Sequence, residues 1–108
     1  MSDIFVMVRN HLNNALTSID GIPFVTYLEG AGIEPAEEVI ELVYADAGFD
    51  DLSLGEYRVG VRHERVEPPQ ATCAVRIESD DEVILVTFVY LEPERVLLST
   101  HVSVEKRL

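Results

Sequence analysis

The spacing of apolar residues predicts helices in the first half of the chain. In roughly residues 3–19, apolar side chains recur every three or four positions, at Phe5, Val8, Leu12, Ala15, Leu16 and Ile19. This spacing predicts a helix with one buried face. A second helix is predicted from about Pro35 to Ala47, because proline is common in a first turn. Its apolar stripe consists of Val39, Ile40, Val43, Tyr44 and Ala47.

The segment between these two helices, residues 22–29, is ambiguous. Its β-branched and aromatic residues favour a short strand. Pro23 would limit that strand to a sheet edge, or would occupy its first position. A short helical turn beginning at Pro23 is the alternative.

After Asp51 the pattern changes to a period of two, which is typical of strands. Four strands are predicted, over about residues 55–66, 71–78, 82–91 and 95–105. The connections are short, so we expect successive strands to pair antiparallel as a meander. The third strand is apolar on both faces, which indicates a central position or a covered second face.

Together these elements predict a single α+β domain, residues 1–108, with two layers. The two N-terminal helices would pack on one face of a four- to five-stranded antiparallel sheet. One apolar side of the third strand would then lie away from the helices, and such a strip usually marks an interface. We assign possible self-association as a homodimer to one side of that strand, formed by Ile84, Val86, Phe88 and Tyr90. The other side carries Val83, Leu85, Val89 and Leu91.

The charge of the chain narrows the classes of partner. Its 108 residues include 20 acidic and 8 basic side chains, for a net charge of −12. This balance disfavours direct binding to nucleic acid or to an anionic membrane, and it favours a basic protein surface or a cation. A different interpretation is adaptation to high salt, since Lys106 is the only lysine beside seven arginines. High genomic G+C content would also favour arginine.

Acidic residues concentrate on the predicted second helix. We predict that a basic partner docks on this set, because opposite potentials accelerate association; a solvated acidic face is the simpler alternative. The predicted partner-binding residues are Glu29, Glu34, Glu37, Glu38 and Glu41.

No motif in the sequence indicates catalysis, a metal or a cofactor. The three histidines, His11, His63 and His101, and the single Cys73 lack the spacing of a zinc site. Cys73 lies in an apolar strand, where cysteine is usually an inert core residue. We therefore expect no enzymatic activity. A lone cysteine and the absence of a signal peptide predict a cytoplasmic protein, and no apolar run approaches the ~18 residues of a membrane span.

The order of the predicted elements resembles the uracil-DNA glycosylase inhibitor family of phage and, more loosely, other small acidic proteins that imitate DNA. The matching residues are Glu29 after residues 24–28, and Glu37 with Glu38 after Pro35. The resemblance implies that these carboxylates take the place of phosphates. It also implies an apolar cleft for a partner side chain, lined by Val39, Ile40 and Val43.

Two functions are therefore expected from the sequence. The first is a non-enzymatic inhibitor, immunity or DNA-mimic protein that docks on a basic partner surface. The alternative is a salt-adapted domain that homodimerises through its sheet, with the acidic surface serving solubility.

Overall fold

The computed structural model describes residues 1–30, 32–40 and 46–106, and its regular elements there are all strands. The α+β prediction is therefore wrong, and the fold is all-β. The strands are β1 (Ser2–Asn10), β2 (Ser18–Ile19), β3 (Ile22–Pro23), β4 (Val25–Gly30), β5 (Ala36–Val39), β6 (Asp46–Leu52), β7 (Gly55–Arg62), β8 (Gln70–Ile77), β9 (Glu82–Leu91) and β10 (Val96–Lys106).

The strands form two four-stranded sheets and one short hairpin. The first sheet has the order β10-β9-β1-β6 and the second has the order β5-β4-β7-β8, while β2 pairs with β3. The pairing of β1 with β9 is parallel, and the other pairings are antiparallel. Buried residues of both sheets, such as Val86 of β9 and Val59 of β7, belong to one hydrophobic core. The architecture is a β-sandwich.

The predicted first helix, residues 3–19, is instead strand β1 followed by a turn. Ile4, Val6 and Val8 are buried and their neighbours are partly exposed, which is the alternation of a strand. The polar segment after β1 then reverses the chain, with Asn13 at a positive φ of 65°. Leu12, which the helix would have buried, is exposed. The β-branched content of β1 outweighs the helical spacing of its apolar residues.

The predicted second helix, Pro35 to Ala47, is also wrong. Residues 36–39 form β5, which pairs with β4, and β6 begins at Asp46. Residues 41–45 lie outside the described ranges, and with them Val43 and Tyr44 of the predicted stripe. Helix propensity is a weak prior that tertiary pairing overrides. The helices on which the resemblance to the inhibitor family depends are thus absent from the described ranges.

The C-terminal strands lie close to where the period-two pattern placed them. Their pairing, however, is only partly that of a meander: β7 pairs with β8 and β9 with β10, but β8 and β9 belong to different sheets. The chain crosses between the sheets at residues 78–81. The predicted central position of the third strand is confirmed, because β9 lies between β1 and β10.

The ambiguous segment, residues 22–29, contains strand and no helical turn. Pro23 ends up in the hairpin strand β3, and β4 starts afresh at Val25. Strand β4 lies inside the second sheet, between β5 and β7, so it is not an edge strand. In the described part of the chain, no helix is long and apolar enough to cross a membrane.

Candidate functional site

The last strand extends beyond the part of the sandwich that the second sheet covers. Val102 and Val104 pair with Val86 and Ile84 of β9, so all four side chains point toward the core side of the first sheet. Val86 and Ile84 are completely buried, whereas Val102 is 46% exposed and Val104 is 55% exposed. Two apolar side chains on the core side of β10 therefore face solvent.

The first half of β10 is fixed by backbone hydrogen bonds to the loop before β8. The Glu67 amide donates to the Arg95 carbonyl (2.8 Å), and the Leu97 amide donates to the Glu67 carbonyl (2.9 Å). A bulge then interrupts the register between Leu97 and Ser99. Residues 101–106 are exposed on both faces. Among the strands of the described ranges, the C-terminal half of β10 thus pairs with β9 alone and has an open backbone edge on its other side.

Two of the other three sheet edges carry features that oppose further pairing, and the third, β8, offers no exposed apolar side chain at Val75 or Ile77 for an added strand to cover. Strand β5 has only four residues and exposes Glu37 and Glu38. Strand β6 is kinked near Asp51, which has a positive φ of 58°. On β8 the core-side residues Val75 and Ile77 are covered. Short edges, charges and bulges are the usual protection of sheet edges, and the C-terminal half of β10 lacks them apart from its last two residues.

The residues predicted for self-association lie in the core. Ile84, Val86, Phe88 and Tyr90 are all buried between the sheets, so the surface does not present them to a second molecule. The alternate side of β9 faces outward and is half-buried, with Val83, Leu85, Val89 and Leu91. Beside it the ring of Phe5 lies across Gly48, where a Cβ atom would be 2.9 Å from Phe5 Cε1. The outer face of the first sheet therefore carries an apolar strip along β9, with open depressions beside it that are lined by Leu85 with Met7 and by Val83 with Phe5.

The predicted partner-binding acids do not share one surface. Glu29, Glu34, Glu37 and Glu38 are exposed, and Glu41 lies outside the described residues. As consecutive residues of a strand, Glu37 and Glu38 point to opposite faces of β5. Glu37 forms a 3.2 Å salt bridge with Arg62, and Glu29 pairs in register with Arg58. On the outer face of the second sheet, acids and arginines therefore alternate.

A different set of acids does gather at one end of the sandwich, where β1 and β9 begin and β6 ends. We define this acidic end as Asp50, Asp51, Glu78, Asp80 and Asp81. The Asp51 amide donates to Asp3 Oδ1 (3.2 Å), and Ser2 Oγ donates to the Ser79 carbonyl (2.8 Å). The start of β1 therefore joins two acidic segments, residues 50–51 and residues 78–81.

Buried polar contacts fix the turn at residues 78–81. The carboxylate of Glu82 is buried, and its Oε1 accepts from the Glu78 amide (3.0 Å) and lies 3.0 Å from Ser79 Oγ. The salt bridges of the described residues are Arg62–Glu37, Arg65–Asp20, Arg76–Glu56 and Arg95–Asp20. None of them includes the acidic end, so its charge is not neutralised by these arginines.

The opposite end of the molecule is mixed in charge. Asp20 accepts two hydrogen bonds from the Arg95 guanidinium, at 2.9 and 3.2 Å. This hydrogen bonding, together with the charges of Arg95 and Arg65, places the pKa of Asp20 below its usual value. Among the described residues, arginines therefore balance Asp20 at this end, whereas no salt bridge includes the acids of the acidic end.

The candidate catalytic and metal-binding side chains have structural or solvent-facing surroundings. His63 is only 2% exposed; its Nδ1 accepts from the Arg65 amide (2.9 Å), so its Nε2 donates to the Ile22 carbonyl (2.8 Å). His101 is exposed and lies beside Ser99. Burial raises the pKa of the Cys73 thiol, which disfavours the reactive thiolate. Among the described residues, no group of three or more His, Cys, Asp or Glu could share a metal ion.

Comparison with protein-family models, with curated proteins and with solved structures finds no match to this chain. The sequence pattern had located β10 itself. It could not locate the free half of that strand, because exposure of Val102 and Val104 depends on where the opposing sheet ends.

Proposed function

We propose that this chain is a protein-binding domain rather than an enzyme, and that it binds through the free edge of β10. The observation that carries this proposal is the exposure of Val102 and Val104 on the core side of a strand whose outer edge pairs with no other part of the chain that the structure describes. A strand added at that edge would form main-chain hydrogen bonds and would cover these two side chains. Strand addition is a recurring mode of peptide recognition, in which main-chain bonds supply affinity and alternate side chains supply specificity.

A synthetic peptide of residues 96–106, labelled with a fluorophore, tests this proposal. We expect its anisotropy to rise on titration with the wild-type protein, at protein concentrations low enough to limit competition by self-association. Val102→Glu should weaken binding about tenfold or more, equivalent to about 1.4 kcal/mol, because a carboxylate would be buried at the junction.

A matched control lies at the edge of the other sheet. Val39 of β5 is 50% exposed, so Val39→Glu introduces the same charge at a comparable edge-strand position. The control should leave peptide affinity unchanged. If the peptide does not bind, or if the two variants weaken binding equally, the β10 edge is not the binding site.

The gathering of carboxylates at the acidic end supports a second candidate, docking of a basic protein segment. A lysine-rich model peptide provides the probe. Replacing Asp50, Asp51, Asp80 and Asp81 with Asn should weaken its binding strongly, whereas Gln at Glu29, Glu34, Glu37 and Glu38 should weaken it less, because those acids lie on different faces and partly against arginines. Equal losses from both sets would mean that net charge alone, with no defined site, attracts the peptide. Binding of the lysine-rich peptide to either set of acids should fall with added salt.

A further inference from the structure

We propose that the strand which pairs with β10 is β10 of a second copy of this chain, antiparallel to the first and related to it by a two-fold axis through Ser103. This inference rests on the proposed use of the β10 edge. The two first sheets would then join into one continuous sheet of eight strands, because each contributes four.

Pairing about Ser103 matches side chains of like chemistry on the core side. In an antiparallel pair with Ser103 opposite itself, Val102 faces Val104 of the second copy, and Val104 faces Val102. Directly opposed side chains in such a pair lie about 4.5–5.5 Å apart. The two exposed valines of each copy would therefore cover those of the other.

The same register is complementary on the outer side of the sheet. His101 would face Glu105 of the second copy, and this contact occurs twice about the axis. No carboxylate would face another carboxylate, which is the arrangement that destabilises cross-strand pairs. In the register with Ser103 opposite itself, the exposed side chains on both faces of the strand are thus self-complementary.

Charge explains why a second copy fits this edge better than the basic partner expected from the composition. The whole chain has a net charge of −12, but β10 contains one acid, Glu105, and one base, Lys106. Two molecules that repel each other over most of their surfaces can approach here without an excess of like charge. A basic segment would find little attraction at β10 and more at the acidic end.

Disulfide trapping tests the register. In a Cys73→Ala background, Ser103→Cys places the two thiols on the axis, with Cα atoms about 4.5–5.5 Å apart, within the ~4.4–6.8 Å range of disulfides. We expect a covalent dimer on mild oxidation. Val102→Cys alone should not cross-link, because residue 102 of the second copy lies diagonally across the strand pair, about 7–8 Å away. A mixture of Val102→Cys and Val104→Cys proteins should cross-link.

The outcomes separate this inference from the proposed function. Equal cross-linking of Ser103→Cys and of Val102→Cys alone would overturn the register, and no cross-linking at any of these positions would overturn the dimer. If cross-linking fails but the 96–106 peptide binds in a manner sensitive to Val102→Glu, β10 remains a binding edge for another strand. If the peptide also fails to bind, both proposals are wrong.

Discussion

At the scale of single residues, Tyr90 shows how strongly the core disfavours charge. It is among the largest completely buried side chains of the molecule, and its ring lies 5.6 Å from that of Phe24. Burial raises the pKa of Tyr90 from 10.0 to about 12. The ionised phenolate is therefore much less stable in the folded protein than in the unfolded chain.

This pKa predicts a loss of stability at alkaline pH. Below pH 10 the phenol is neutral in both states, so its stabilising effect is complete. Between about pH 10 and 12 the unfolded chain ionises first, and the free energy of unfolding should fall by roughly 2 kcal/mol. Denaturant unfolding across this range, compared with Tyr90→Phe, measures the effect. An equally steep fall in the variant would contradict it.

The surroundings of His63 could not be predicted from the sequence. His63 is buried with both ring nitrogens hydrogen-bonded to backbone, and its ring lies 4.6 Å from that of Phe24. The contacts are made by Arg65, which is close in sequence, and by Ile22, which is distant. The spacing of the histidines gave no reason to expect a zinc site. It could not show which backbone groups His63 contacts.

At the scale of elements, neighbouring strands β9 and β10 differ in how much packing they contribute. Val86 is completely buried and its direct partner Val102 is 46% exposed, although both are valines on the same side of one sheet. Truncation of the first should leave a cavity in the core. Truncation of Val102 should enclose no cavity, because that side chain is already about half exposed to water in the monomer.

We therefore predict opposite consequences for the two valines. Val86→Ala should lower the free energy of unfolding by about 2 kcal/mol, from lost burial and the cavity left behind. Val102→Ala should cost less than about 0.5 kcal/mol when measured on dilute protein. At high protein concentration, where association stabilises the folded state, the cost of Val102→Ala should increase. A large cost in dilute solution would mean that Val102 is covered within the monomer.

The elements also mark how far sequence could predict this fold. Period-two patterns placed β7 to β10 because residues such as Tyr57, Val59 and Val61 alternate with Glu56, Arg58 and Arg62, interrupted only by Gly60. The apolar residues of β1 fit both helical and strand spacing, and its parallel partner β9 lies about eighty residues later. No local pattern in the sequence indicates that pairing. For the same reason, the exposure of Glu37 was predictable, whereas its salt bridge to Arg62 was not.

At the scale of the whole molecule, the negative charge has more than one consequence. Arginines balance acids on the outer face of the second sheet and around Asp20, and none of the salt bridges among the described residues includes the acidic end. Self-association through β10 must overcome repulsion between two molecules of charge −12, so screening by salt should strengthen it. Docking of a basic segment on the acidic end should respond to salt in the opposite way.

Sedimentation equilibrium of the wild-type protein in low salt and in about 1 M salt tests the β10 interface most directly, because such a concentration reduces the screening length to about 3 Å. We predict a mass that rises toward twice the chain mass of 12.1 kDa as salt and protein concentration increase. Val102→Glu should remain at the chain mass, and Val39→Glu should behave as the wild type. A wild-type mass of one chain at every salt and protein concentration would contradict self-association through this edge.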